Sequence, residues 1–173
     1  MDEIILVFPD ESLEEKAYDY KSEHFAYGET IIDGSSFWDK RDSYLEWLME
    51  VRLNSRPETV DPTRVVSSPF FAVRKKDNKI IGMIDCRHYL NDFLKDFGHI
   101  GYSVRPTERR KGYATEMLRL VLEYAKEIGL REVNLSCIVD NIGSRKAIIK
   151  NGGITVRFFN YNGQKAEFFR IEL

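Results

Sequence analysis

A short apolar run followed by a long amphipathic run constrains the fold of this chain more than any other feature. Residues 100–104 are mostly apolar, which is typical of a buried strand, and Pro106 ends the run because proline has no N–H to offer a sheet. Beyond it, apolar residues recur at helical spacing, namely Ala114, Leu118, Val121, Ala125 and Ile128. Residues 98–128 therefore predict a strand, a tight loop and a helix in succession.

The predicted loop, RRKGYA at residues 109–114, has the composition of an anion-binding site. Gly112 can adopt backbone angles that other residues avoid, and the small Ala114 keeps the start of the helix uncluttered. The free N–H groups and the dipole of the first helical turn attract an anion, and three adjacent cations add to that attraction. The loop therefore predicts a pyrophosphate site. Neither the dinucleotide-binding nor the P-loop glycine pattern occurs in the chain.

This loop resembles the acyl-CoA-binding loop of the GNAT N-acetyltransferase superfamily. The family pattern is Arg or Gln, two residues, Gly, one residue, then Gly or Ala, and here it is matched by Arg109, Gly112 and Ala114. A second family segment, Asn followed three residues later by Ala or Ser, is matched by Asn141 and Ser144. The element order predicted for the chain, βααβββαβαββ, is also that of the family. The resemblance covers nearly the whole chain and is firm for residues 70–153.

The resemblance implies an α/β GNAT fold, a mixed and mostly antiparallel twisted sheet flanked by helices. One N-acetyltransferase domain fills residues 1–173, with residues 1–61 as its more variable, helical N-terminal part. Within that part we expect a capping box from Ser12 to Glu15. We also expect a helix over residues 37–54 whose inner face carries Tyr44, Leu45, Leu48 and Val51. The loop over residues 56–68 is expected beside the substrate.

The resemblance further implies acetyl-CoA as co-substrate, held in a V-shaped opening between the central strand and the next one. Its pantetheine arm would pair with the central strand at Tyr102 and Val104. Its pyrophosphate would meet backbone N–H groups from Arg110 to Thr115. The full set of expected contacts is Tyr102, Val104, Arg109, Arg110, Lys111, Gly112, Tyr113, Ala114, Thr115, Asn141 and Ser144. Asn141 could instead cap the following helix, and Ser144 could be an ordinary first-turn residue.

The implied reaction is direct attack of a primary amine on the thioester, which needs a base to take a proton from the ammonium ion. Relatives that act on protein N-termini often read Glu-Ile-Gly-Tyr at the central strand, and this chain reads HIGY at residues 99–102. His99 thus stands at a base-like position, with a structural role as the alternative. His88 and Asp85 are the further candidates for the base.

The residue that would protonate the departing thiolate is harder to assign. Many family members carry a Tyr seven residues after the Asn, where this chain has Ile148. Ser144 or Tyr161 could substitute, or the thiolate could leave without a dedicated acid, since a thiol with a pKa of about 8.5 is a modest leaving group. Ser144 joins His99 as a predicted catalytic residue. Cys137 is interpreted as a buried core residue, because the sequence shows neither a base partner nor a cause for a lowered pKa.

The composition of the chain argues against several other classes of function. The chain has 173 residues, a net charge of −2 and two cysteines. That balance argues against general nucleic-acid binding, and the cysteine and histidine spacing matches no metal site. No apolar run approaches the roughly 20 residues that span a bilayer, and the acidic N-terminus is unlike a signal peptide, so we expect a cytoplasmic protein.

The net charge is −10 over residues 1–61 and +8 over the remainder. The acidic part suits a cationic amine, or simply reflects solvated helix faces.

The acceptor is not specified by these residues. Small amines, amino acids, aminoglycosides and protein or peptide N-termini stay open, and the HIGY segment favours a peptide amine. Two other functions stay open as well: a module that binds CoA or acyl-CoA without turnover, and a nucleotide site in the same loop. The exposed edges of the last predicted hairpin also leave pairing with a second copy open.

Overall fold

The computed structural model describes all 173 residues. Seven strands and four helices follow one another along the chain: β1 (Ile4–Val7), α1 (Glu14–Ala26), α2 (Tyr44–Asn54), β2 (Ser67–Arg74), β3 (Lys79–Arg87), β4 (Ile100–Val104), α3 (Tyr113–Glu127), β5 (Glu132–Ile138), α4 (Ile142–Lys150), β6 (Ile154–Tyr161) and β7 (Gln164–Glu172). This order confirms the predicted succession of elements. Three single-turn 3₁₀ helices, Glu11–Leu13, Trp38–Lys40 and Pro106–Glu108, lie between them.

The strands form two antiparallel sheets that meet at one point. One sheet has the order β1-β2-β3-β4 and the other has the order β5-β7-β6. They are joined where β4 and β5 approach, through a bridge between Gly98 and Leu135 and a hydrogen bond of 2.6 Å from His99 N to Asn134 O. Beyond this junction β4 and β5 do not pair, so the two strands diverge and leave a V-shaped opening.

Helix α3 covers one face of the first sheet with aliphatic side chains. Its buried residues recur at helical spacing, as Met117, Leu118, Val121, Leu122 and Ala125. They join residues of both sheets in one core cluster, which includes Ile81, Ile100 and Phe169. Truncating such a buried side chain to Ala costs about 2 to 5 kcal/mol. This packing fixes the start of α3 against the end of β4.

The opposite face of the first sheet is covered by α1 and α2 through an aromatic cluster. Tyr20, Trp38, Tyr44, Trp47 and Phe71 are all fully buried there. Their polar atoms find backbone partners: Trp38 Nε1 donates to Ala17 O at 3.1 Å and Tyr44 Oη donates to Asp10 O at 2.7 Å. The cluster holds in place the connection between α1 and α2, which borders both cavities described below.

Two local predictions were wrong in the N-terminal part. The first helical turn is capped by Asp10, whose side chain accepts from Ser12 N at 2.8 Å, and not by Ser12. The second helix begins at Tyr44 instead of residue 37, because the chain after the left-handed Phe37 (φ of 69°) makes only one 3₁₀ turn and becomes extended at Arg41. Ser43 caps this shorter helix, and Trp47 takes the inner position expected for Leu45, which is 48% exposed.

Candidate active site

A cleft of about 1170 Å³ opens between the diverging strands β4 and β5. Its walls come from β4, the loop before α3, the first turn of α3, β5 and the start of α4. The expected contact residues that line it are Tyr102, Val104, Arg109, Arg110, Gly112, Tyr113, Ala114, Thr115, Asn141 and Ser144. Lys111 and His99 lie outside its lining.

The loop before α3 presents backbone donors to one end of this cleft. Arg110 and Gly112 both have left-handed backbones, with φ of 62° and 88°. The first i→i−4 bond of the helix runs from Glu116 N to Gly112 O at 3.2 Å, so the N–H groups of residues 113–115 have no partner within the helix. Donors of this kind at a helix N-terminus fit a pyrophosphate.

The three cations of the loop differ in their surroundings. Arg109 is bidentate to Glu29, with Nη1 to Oε1 at 2.6 Å and Nη2 to Oε2 at 2.7 Å. Lys111 Nζ donates to Glu108 Oε2 at 2.8 Å. Arg110 has no carboxylate partner in the structure, which leaves its charge fully available to an anion.

Tyr102 and Ser144 reach across the cleft toward each other from β4 and α4. Their hydroxyl oxygens lie 2.7 Å apart. Burial raises the pKa of Tyr102 well above its ordinary value, so it stays a neutral hydroxyl. Ser144 is fixed in turn because its N–H donates to Asn141 Oδ1 at 3.1 Å, the capping role foreseen for Asn141. Asn141 Nδ2 keeps no protein partner and can still donate to a ligand carbonyl.

Three further residues considered from the sequence lie at different depths around this cleft. Cys137 and Tyr161 line the cleft, whereas Ile148 is fully buried in the core. Burial raises the pKa of the Cys137 thiol to about 11, so it is not a ready nucleophile. Tyr161 is 40% exposed at the cleft margin and stacks edge-on against Phe97.

The two histidines considered as bases lie away from the cleft. The ring of His99 is 8% exposed and its Nδ1 accepts from Asn134 N at 3.0 Å, at the junction of β4 and β5. His88 Nε2 lies 2.9 Å from Ser68 Oγ and 3.4 Å from Tyr124 Oη. Neither residue lines the cleft or the second cavity, and burial lowers the pKa of both.

A second cavity, of about 490 Å³, adjoins the cleft beneath the connection between α1 and α2. Five residues line both spaces and so mark their junction: Ile31, Asp33, Gly34, Arg87 and Phe97. The junction is tightly packed, since a Cβ at Gly34 would stand 2.3 Å from Gly101 O in β4. Residues 63–65 and Ser67 also line this cavity, which places part of the loop over residues 56–68 beside it.

Asp85 lines the second cavity and is the most unusual carboxylate in the molecule. It is 5% exposed, its Oδ1 has no hydrogen-bond partner, and its nearest cation is Arg87, with Nε 3.9 Å from Oδ2. Desolvation raises its pKa to about 6, and attraction to Arg87 only partly offsets that rise. A carboxylate in this state can accept a proton near neutral pH.

Sequence reasoning ranked Asp85 behind the histidines and did not single out Asp33 or Arg87. One local signal was available for Asp85, because it interrupts the apolar run IIGMIDC of a buried strand. For Asp33 no local signal exists, since it lies in a turn-rich segment that reads as surface. The structure places all three residues in the lining of the second cavity, and Asp33 and Arg87 line the cleft as well.

Residues 29–154 match the sequence profile of the acetyltransferase (GNAT) domain, well over half of the chain. The chain belongs to the GNAT acetyltransferase family. It is an N-acetyltransferase domain by family, and its α/β architecture is that of the GNAT fold. No curated protein sequence matches the chain significantly.

Solved structures support the fold at low sequence identity. The ribosomal-protein α-N-acetyltransferase RimL, in complex with coenzyme A, has a TM-score of 0.68 and 18% identity over 99% of this chain and 98% of its own. The microcin self-immunity acetyltransferase MccE, with acetyl-CoA and AMP, has a TM-score of 0.71 and 17% identity over 100% and 94%. The spermidine/spermine N-acetyltransferase SpeG from Vibrio cholerae has a TM-score of 0.66 and 14% identity over 98% and 93%.

No helix is both long and apolar enough to cross a bilayer. No group of three or more His, Cys, Asp or Glu side chains is arranged to hold a metal ion.

Proposed function

We propose that this GNAT domain transfers the acetyl group of acetyl-CoA to a primary amine by direct attack in a ternary complex. The observation that carries the proposal is the junction of the two spaces at Asp33, Gly34 and Arg87. At this junction the cleft, which has hydrogen-bond donors for a pyrophosphate at one end, meets a second cavity that holds the desolvated carboxylate of Asp85. Binding of CoA or acetyl-CoA by the similar structures of RimL and MccE supports the same co-substrate.

In this proposal the loop before α3 holds the pyrophosphate and the open edge of β4 holds the pantetheine arm. The N–H groups of Tyr113, Ala114 and Thr115 donate to the phosphate oxygens, and Arg110 supplies charge. Arg109 contributes indirectly, because its ion pair with Glu29 fixes the loop to the segment after α1. Asn141 Nδ2 donates to a pantetheine carbonyl.

Asp85 is the proposed base. It takes a proton from the substrate ammonium ion, the free amine nitrogen bonds to the thioester carbon, and the carbon–sulfur bond breaks as the amide forms. The amine loses its second proton as the tetrahedral intermediate collapses, and the thiolate of CoA ends protonated. His99 is kept as the alternative base for experiment. With its Nδ1 bonded to Asn134 N, it would act through Nε2 and from outside the cleft lining.

The hydroxyl pair of Tyr102 and Ser144 is the proposed donor to the departing sulfur, in place of the tyrosine that Ile148 replaces. One of the two hydroxyl protons suffices for the bond between them, so the other can donate to the thiolate. Because the pKa of Tyr102 is raised, this role is hydrogen bonding to the thiolate and not full transfer of the tyrosine proton.

The test is thermal unfolding with and without acetyl-CoA, followed by a thiol-release assay over a panel of primary amines. Binding only to the folded state at 100 times the dissociation constant adds about 2.7 kcal/mol of stability. Stabilisation together with acetylation of an amine supports the proposal. Stabilisation by acetyl-CoA without acetylation of any amine would support the non-catalytic module instead, and competition by ATP would support the nucleotide site.

We also propose a cytoplasmic location, consistent with two unpaired cysteines.

A further inference from the structure

Some of the charged side chains that line the second cavity have ion-pair or hydrogen-bond partners, and others have none. Four carboxylates and three cations line it. Two of the carboxylates are already engaged: Glu50 is bidentate to Arg41, at 2.8 and 3.0 Å, and Asp39 accepts from Ile32 N at 2.9 Å and Ser35 Oγ at 3.2 Å. The negative charge left for a ligand therefore belongs to the other two, Asp85 and Asp33.

Of these two carboxylates, Asp33 borders the acetyl-CoA cleft and Asp85 lies within the second cavity. Asp33 forms no hydrogen bond or ion pair and lines both spaces, so it stands where they meet. Asp85 is buried with Oδ1 unpartnered, a costly state for a carboxylate unless a ligand donates to it. An ammonium group that enters from the junction would pass Asp33 and find in Asp85 a buried carboxylate with an unpartnered oxygen.

Another part of the cavity wall carries spare positive charge. The guanidinium of Arg64 lies 4.7 Å from the centre of the Phe37 ring, and Nζ of Lys40 lies 5.6 Å from the same centre. Lys40 has no carboxylate within 4.0 Å, and Arg64 has only Glu50 at 3.9 Å, a carboxylate already bidentate to Arg41. Two cations that share one aromatic ring repel each other and favour an anion between them.

The rest of the lining is largely apolar, and includes Val51, Val65, Pro69, Leu94 and Phe97. The cavity therefore combines carboxylates at the cleft, apolar walls and cations at the Phe37 ring. A polycation such as a polyamine would place its second charge against Lys40 and Arg64.

From this arrangement we infer that the acceptor is an amphoteric amine: a primary ammonium joined through an apolar spacer to an anionic group. The ammonium enters past Asp33 and binds Asp85, and the anion binds Lys40 and Arg64. This inference rests on the proposed acetyl transfer and names the substrate class of that site. Such an amine could be a free small molecule or the N-terminus of a peptide with an acidic side chain, and the experiment separates these two sources.

The experiment compares matched pairs of acceptors in the thiol-release assay. The free-amine pair is 6-aminohexanoate and hexylamine, and the peptide pair is the amides of Leu-Glu and Leu-Gln; spermidine is the polycation. We expect the anionic member of at least one pair to have a kcat/KM about tenfold higher than its uncharged partner, with spermidine the poorest acceptor. The pair that shows the larger ratio identifies the source.

The double variant Lys40→Gln with Arg64→Gln should remove that ratio by lowering kcat/KM for the anionic acceptor to the value of its uncharged partner. The matched control is Lys126→Gln with Arg131→Gln, which changes the charge equally at exposed residues that form no ion pairs and line neither cavity. Retention of the ratio in the first variant, or its loss in the control, would overturn the inference.

Failure of the inference and failure of the proposed function give different results. Acetylation of these amines with equal or better use of hexylamine or spermidine overturns the substrate class alone. Acetylation of none of them overturns both. Calorimetric titration of 6-aminohexanoate into the CoA-bound protein adds a measurement independent of turnover: we expect binding that weakens in the Lys40 and Arg64 variant, and no binding of any of the anionic probes contradicts the inference.

Discussion

The cleft and the cavity beside it are built in opposite ways. The cleft is formed mainly by two segments, residues 100–115 and 136–147, and it offers a ligand many backbone groups. The cavity is assembled from α2, β2, β3 and three separate loops, and it offers mostly side chains. A site made of backbone groups in a fixed loop suits a constant ligand, and a site made of side chains from scattered segments can differ for each acceptor.

The contrast predicts that catalysis depends most on one side chain of the cavity. Asp85→Asn should lower kcat/KM by about 10² to 10⁴, the usual worth of a general base, and leave acetyl-CoA affinity unchanged. In the unmodified protein the rate should fall as the pH drops through about 6, because protonation of Asp85 removes the base. Steady-state rates from pH 5 to 9 measure both effects.

His99→Asn is the companion variant, since Asn can keep a hydrogen bond to Asn134 N. If the acidic limb of the pH profile persists in Asp85→Asn and disappears in His99→Asn, the general base is His99 and not Asp85. That result would also show that the junction of β4 and β5 takes part in the reaction.

Binding to the cleft should depend instead on backbone geometry. Gly112→Ala adds a methyl group where phosphate approaches and should weaken acetyl-CoA binding by about tenfold or more, with a loss in Tm from the left-handed backbone. Gly129→Ala is the matched control, because Gly129 has φ of 90° and no neighbour within 4 Å of an added Cβ. Equal loss of binding in both variants, measured by calorimetry, would contradict a phosphate site at Gly112.

We also expect the burial of the Asp85 carboxylate in this cavity to lower the stability of the folded protein. Its pKa rises from 3.8 to about 6 on folding, so the folded protein loses stability as the pH rises from about 4 through 6 and the buried carboxyl ionises. Asp85→Asn should therefore be more stable than the unmodified protein at pH 8, by about 3 kcal/mol, and the gain should vanish below pH 4. Denaturant unfolding at pH 4 and pH 8 measures the difference. A gain of equal size at both pH values would rule out ionisation as its cause.

The smallest effect is expected for the hydroxyl pair in the cleft. Tyr102→Phe removes one donor beside the departing sulfur and should lower kcat by about tenfold with little change in the KM for acetyl-CoA. Its defect should shrink with acetyl thioesters whose thiols are more acidic, because a better leaving group needs less stabilisation. A defect independent of the thiol would assign Tyr102 a purely structural role.

How well each region could be predicted from the sequence follows from the same contrast. The loop of residues 109–114 and the flanking strand and helix are local features, so glycine position and apolar spacing were enough to predict them. The separation of β4 from β5 followed from the family resemblance. The start of α2 was placed too early because no local propensity indicates the left-handed Phe37 or the extended Arg41 that separate residues 38–40 from the helix.

The second cavity could not be derived from the chain in this way. Asp33 and Asp85 are 52 positions apart in the sequence, and they line one cavity only because the aromatic cluster packs the connection after α1 against β2 and β3. The ion pair of Arg109 was equally hidden, since its partner Glu29 is 80 positions away in the sequence, whereas Lys111 pairs locally with Glu108, three residues before it. Tertiary packing, and not local preference, decides which charges remain available.

The ion pair between Arg109 and Glu29 has a consequence for the order in which substrates add. Glu29 stands two residues before Ile31, where the wall shared by both spaces begins, so the proposed pyrophosphate loop is tied directly to the wall of the proposed amine site. Binding of acetyl-CoA beside Arg109 should fix the conformation of that wall before an amine binds there. We therefore expect acetyl-CoA to bind first and CoA to leave last, with CoA competing against acetyl-CoA but not against the amine.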